Sequence, residues 1–110
     1  MEPQFRAIAD HALLVSFAAE ISEDTHAKVV ALDTAIGANM PLGVIETVPA
    51  LVNLLVSFDP IITDHIVVEE HVRSCLKDMK VGQVSGVQRH VPVCYEAPFA
   101  PDLDAVATAA

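Results

Sequence analysis

Two apolar stripes of helical period, each preceded by a pair of short segments that alternate apolar and polar residues, limit what this chain can fold into. Residues 12–17 set Leu13, Val15 and Phe17 against Leu14 and Ser16, and residues 53–58 set Leu54, Val56 and Phe58 against Asn53, Leu55 and Ser57. A period of two belongs to strands with one buried face. Residues 5–9 and 44–48 read as their partners, the first joined through Asp10-His11 and the second through Pro49-Ala50. Val29, Leu32 and Ile36 recur at the spacing of one helical face, as do Val68, Val72, Cys75, Leu76 and Met79. Ser22 is the expected N-cap of the first helix, with Glu23 and Asp24 well placed against its dipole. Gly37, Asn39 and Pro41 end it. Asp59-Pro60 closes the fourth strand, because proline lacks the ladder donor, and the second helix starts near Thr63 or Asp64. Glu69 and Arg73 form an i,i+4 pair on it, and Lys77 and Lys80 suit its C-terminal end.

After the second helix, residues 81–87 contain two glycines and a serine and read as a connection. Residues 89–95 alternate again through Val91, Val93 and Tyr95, but Pro92 restricts them to an edge strand or a segment leaving the domain. Leu103 to Val106 starts a helix without the length of one. The order strand, strand, helix, strand, strand, helix, strand predicts an α+β, ferredoxin-like split βαβ sandwich: βαββαβ plus an extra N-terminal strand, with both helices on one face of an antiparallel sheet.

The 110 residues suffice for one such domain. Fifteen acidic against six basic residues give a formal charge of −9, which opposes a nucleic-acid backbone. No apolar run approaches the roughly 18 residues of a membrane span, and the N-terminus has no basic-then-apolar signal pattern. Cys75 and Cys94 lack a CxxC spacing and suit a reducing, cytoplasmic setting.

Five histidines raise the question of a metal. His65 and His71 lie six apart on one helix, about 240° around its axis, so they diverge. No HExxH motif or thiolate cluster joins them, so no metal site is expected, and His11, His26 and His90 read with them as solvated surface residues. Asp10-His11 could form a carboxylate-oriented base; the simpler expectation is that Asp10 bonds the turn backbone. Ser16, Ser22, Ser57, Ser74 and Ser85 include no GxSxG elbow, and Gly82 to Gly86 lacks the lysine and following helix of a phosphate cradle. No complete catalytic constellation is legible.

Three stretches, in order, resemble one family. Asp10 to Phe17 with Glu20-Ile21-Ser22 is similar to an opening GDxALLVEFG…IS; Glu46 to Ala50 with Leu54 to Pro60 is similar to ExVP(A/S)…SLLVx(Y/F)DP; and Val91 to Tyr95 with Phe99 to Leu103 is similar to IPVCYGGEFGPDL. These resemble the family of 5-oxoprolinase B components, also described as KipI-like or allophanate hydrolase subunit 1. Ala9, Ser16, Leu51, Asn53, Glu96, Ala97 and Ala100 depart from its pattern. Members are about twice this long, and the resemblance implies a ferredoxin-like N-terminal domain over residues 1–88. Residues 89–110 would then be the truncated start of a cyclophilin-like C-terminal domain.

The resemblance also implies a complex-forming role in ATP-dependent opening of 5-oxoproline to glutamate, with the C and A components of 5-oxoprolinase as partners. This stretch would not be catalytic alone, and ATP would be needed by the whole complex but not bound here. The other roles it implies are a regulatory module inhibiting a sporulation-type histidine kinase, and a carboxyltransferase or allophanate hydrolase accessory protein. It identifies no catalytic, cofactor or metal residue. The apolar residues after Arg89 are expected to be disordered or to associate with another copy by strand addition.

Overall fold

The computed structural model describes residues 2–110. Two strands, β1 (Gln4–Ile8) and β2 (Ala12–Ser16), form a hairpin. Helix α1 (Glu23–Ala38), strands β3 (Val44–Pro49) and β4 (Asn53–Phe58), and helix α2 (His65–Asp78) follow. The four strands make one antiparallel sheet in the order β1-β2-β4-β3. The fold is α+β and ferredoxin-like, as the alternation of periods predicts.

The sheet differs from expectation at one edge. In a βαββαβ chain the last strand would lie antiparallel beside β2 and close the sheet. Here β1 holds that position, pairing with β2 from Gln4↔Ser16 to Ile8↔Ala12. Residues 89–95, expected to alternate as a strand, form none. With β1 already hydrogen-bonded along β2, no ladder is left there for a fifth segment. Residues 79–95 carry no regular structure, and the chain ends in a short helix, α3 (Leu103–Ala109), where only a helix start was expected.

Both long helices cover one sheet face. Leu13, Val15 and Phe17 meet Leu54, Val56 and Phe58 from the sheet side, and Val29, Leu32, Ile36, Val68 and Val72 meet them from the helices. All eleven are buried. Each such side chain contributes on the order of 1.5–3 kcal/mol by leaving water. Ser22 caps α1 as expected: its Oγ accepts from Thr25 N–H at 3.1 Å, and its hydroxyl donates to Thr25 Oγ1 at 2.9 Å. Thr47 on β3 donates to the Asp33 carboxylate on α1, fixing that helix along the sheet. Arg73 on α2 lies 4.3 Å over the Phe5 ring, which ties α2 to β1. The opposite face of the sheet carries a row of Arg6, Leu14, Leu55 and Val48, with Gln4, Ser16 and Asn53 to one side. No other described element covers it.

The chain beyond α2 extends from this body. The radius of gyration is 19.1 Å, against about 13 Å for a compact chain of this size.

Candidate functional site

Three loops meet at one end of the sheet, and what they hold together is the candidate site. The β1–β2 turn carries Asp10-His11, the α1–β3 loop carries Met40 to Gly43, and the β4–α2 loop carries Asp59 to Asp64. Backbone bonds lock them. Phe58 N–H donates to His11 O at 2.8 Å, and Asp59 N–H donates to Gly43 O at 2.8 Å. Gly43 has φ +93°, and a Cβ there would sit 2.8 Å from Thr63 Cγ2. Only glycine allows both that backbone conformation and the close approach of the two loops.

The polar groups of this end are largely committed to holding it in shape. Asp59 Oδ1 accepts from Ile61 N–H, and Asp64 Oδ1 accepts from Val67 N–H as the N-cap of α2, each at 2.9 Å. His65 Nε2 lies 3.0 Å from Ala12 O, to which it donates, and its ring meets Phe58 edge-on with centroids 4.9 Å apart. Asp10 Oδ1 lies 3.2 Å from His11 Nδ1, so Asp10 contacts its neighbour's ring rather than the turn backbone. Both side chains are exposed. In water such a pair is weak.

The same loops and the first turn of α2 expose a group of large apolar side chains. Ile61 is 94% exposed, Leu42 84% and Ile66 71%, with Met40, Ile62 and Val67 beside them in sequence and also open. Large exposed apolar side chains grouped at one end of a fold are the kind of surface that takes part in interactions. Sequence reasoning missed it. The signal is Ile61-Ile62, two β-branched residues in a loop between Pro60 and the Asp64 cap, outside both helical stripes and both alternating strands.

The other histidines and the cysteines lie apart. His71 Nε2 is 3.5 Å from Cys75 Sγ one helical turn on. Burial, and after it the charge of Asp78, pushes the Cys75 thiol above its ordinary pKa, which disfavours the reactive thiolate. His26 is half-buried, with Nδ1 enclosed and without a hydrogen-bond partner. Thus His26, His65 and His71 are half-buried, not solvated; His11 and His90 are exposed. Cys94 is exposed in the segment after α2. Among the described residues, no three or more His, Cys, Asp or Glu side chains come together to hold a metal ion. No described helix is long and apolar enough to cross a membrane. A shallow groove of about 360 Å³ runs between α1 and residues 79–84, lined by Ala27, Ala31, Ala35 and Met79 among others. Its lining is mostly apolar, with Thr34, Lys80 and Gln83 as its polar side chains.

Comparison with known proteins places this architecture. The model of the family described as carboxyltransferase domain, subdomain C and D, matches residues 3–110. Among solved structures, the conserved uncharacterized protein PH0987 of Pyrococcus horikoshii is 34% identical with a TM-score of 0.62, over 67% of this chain and 34% of its own. The urea carboxylase of Kluyveromyces lactis shares the fold with a TM-score of 0.67 at 14% identity, over 71% of this chain and 7% of its own. This chain thus aligns with about a third of the first structure and a small part of the second. No match was found among curated proteins. With the match running from Pro3 to the last residue, the chain belongs to the carboxyltransferase domain family, subdomain C and D.

Proposed function

We propose that this chain is a complex-forming domain of a carboxyltransferase-family assembly, and more narrowly the N-terminal part of a 5-oxoprolinase B component. The observation that carries the reading is the loop-built end. Asp59, Asp64 and His65 are spent on shaping it, while Ile61, Leu42 and Ile66 face outward. Such an end holds a partner. Reaction steps fall to the assembled enzyme, in which ATP-dependent opening of 5-oxoproline would need the C and A components. Residues 1–88 act as the docking body, and residues 89–110 lead into a cyclophilin-like second domain. Support for the narrower reading comes from the three motif stretches, two of which (Asp10 to Phe17 and Leu54 to Pro60) supply loops of that end.

A second reading has its own observation. The likeness to part of a urea carboxylase favours an accessory domain in a carboxyltransferase acting on urea-derived substrates. Co-expression of the protein with the C and A components of 5-oxoprolinase, followed by assay of ATP-dependent glutamate release from 5-oxoproline, separates the two. Glutamate release that requires all three chains supports the 5-oxoprolinase reading. A complex that turns over no 5-oxoproline, or binding to a histidine kinase in place of the C component, overturns it.

A further inference from the structure

We infer that the partner held at the loop-built end is a protein that meets it with a basic rim around an apolar contact; this deepens the docking reading above and rests on it. The three loops and the first turn of α2 contain Asp10, Asp59 and Asp64, and neither lysine nor arginine. Asp59 and Asp64 flank Ile61 and Ile62 in one loop, and the bond from Phe58 N–H to His11 O brings the turn of Asp10 beside it. Glu70, also exposed, follows four residues after Ile66 and three after Val67, so it shares their side of α2. Up to the end of α2 the basic residues are Arg6, Lys28, Arg73 and Lys77, and the topology keeps them from this end. Helix α1 reaches it with its C-terminus, which leaves Lys28 in the far half. Helix α2 departs from it, which carries Arg73 and Lys77 away. Arg6 stands at the middle of β1, across from Leu14.

Charge decides among the occupants that the apolar side chains alone would admit. A second copy docked through the same end would make a self-matched contact and set these carboxylates against their own counterparts. An anionic membrane surface and a nucleic-acid backbone would be repelled. A protein whose apolar contact is ringed by lysine or arginine meets opposite charge at each of these positions. Rim charges in water act on encounter more than on the life of a complex, and salt screens them. Asp59 and Asp64 also shape the loop and cap α2, so Asp10 and Glu70 are the charges that can be changed without disturbing the fold. They should govern how fast the partner arrives, and Ile61 how long it stays.

Association with the 5-oxoprolinase C component, followed by biolayer interferometry between about 50 and about 500 mM salt, is the test. The association rate should fall by about tenfold or more across that range. Asp10→Lys with Glu70→Lys should lower the low-salt rate by about tenfold, flatten its salt dependence and leave dissociation within about twofold. Glu2→Lys with Glu20→Lys makes the same change of net charge at the opposite end of the sheet, and should lower the rate by less than about threefold. An equal drop from both pairs, or a rate indifferent to salt and to the first pair while Ile61→Asp still weakens binding, would overturn the basic-rim inference and leave the docking reading standing. Binding that is absent, or indifferent to Ile61→Asp, would overturn the docking reading and this inference with it. Self-association seen by light scattering and abolished by Ile61→Asp would give this end to a second copy, and would overturn the inference as well.

Discussion

His65 ties the first turn of α2 to the first residue of β2: its Nε2 donates to Ala12 O at 3.0 Å while its ring stands edge-on to Phe58. One side chain thus joins helix, hairpin and the end of β4 at the point where the three loops meet. Replacement of His65 by Ala should lower stability by about 1–2 kcal/mol, the sum of a part-buried hydrogen bond and a lost ring contact. His65→Phe should recover the ring share only. Urea denaturation of the two variants gives both values, and equal losses would show that the ring contact contributes nothing.

Gly43 should tolerate no side chain. Its φ of +93° and the 2.8 Å approach of Thr63 Cγ2 act together. We expect Gly43→Val to cost on the order of 2–4 kcal/mol, through strain and a clash. The measured change in melting temperature should exceed that for Gly37→Ala, where nothing lies within 4 Å of the added carbon. The latter replaces glycine inside α1, and should stabilise by about 0.5–1 kcal/mol.

The two thiols should separate by reactivity. Cys94 is exposed, whereas burial raises the Cys75 pKa and reduces its thiolate. Labelling with a thiol reagent at mildly alkaline pH should modify Cys94 first, with Cys75 slower by about tenfold or more. The sign for stability follows. Because the folded pKa is the higher, the unfolded chain releases the proton first, and stability contributed by neutral Cys75 is present below the unfolded pKa and lost as pH rises through the folded one. Equal labelling rates would contradict the half-buried placement of Cys75.

Ser22 makes both hydrogen bonds of its cap to Thr25. Ser22→Ala should therefore cost about 1 kcal/mol. Ser22→Asp should restore most of it, because a carboxylate there can accept from Thr25 N–H and favours the helix N-terminus. Thermal unfolding followed by circular dichroism distinguishes these outcomes.

The caps and stripes were readable because they obey local rules. Ser22 caps α1 where expected, α2 begins just after the expected Asp64, and Val29, Leu32, Ile36, Val68 and Val72 are the buried apolar helix residues. The order of the strands was less readable, since alternation shows that a segment has two faces but not which neighbour it pairs with. That is why β1 takes the closing position while residues 89–95, equally alternating, pair with nothing in the chain. The candidate site was least readable. His65 shows no ligand spacing, and its role arises from a carbonyl 53 residues away in sequence. Ile61 and Ile62 resemble core residues by composition; only the geometry of the loop turns them outward.

The most direct test concerns Ile61, the most exposed apolar residue of the loop-built end. Ile61→Asp should leave stability within about 0.5 kcal/mol of the parent, as for most surface changes. Titration calorimetry against the 5-oxoprolinase C component should then show affinity falling by about 100-fold, the loss of a well-packed anchor. Unchanged affinity in a folded Ile61→Asp protein would contradict the assignment of this end as the docking surface.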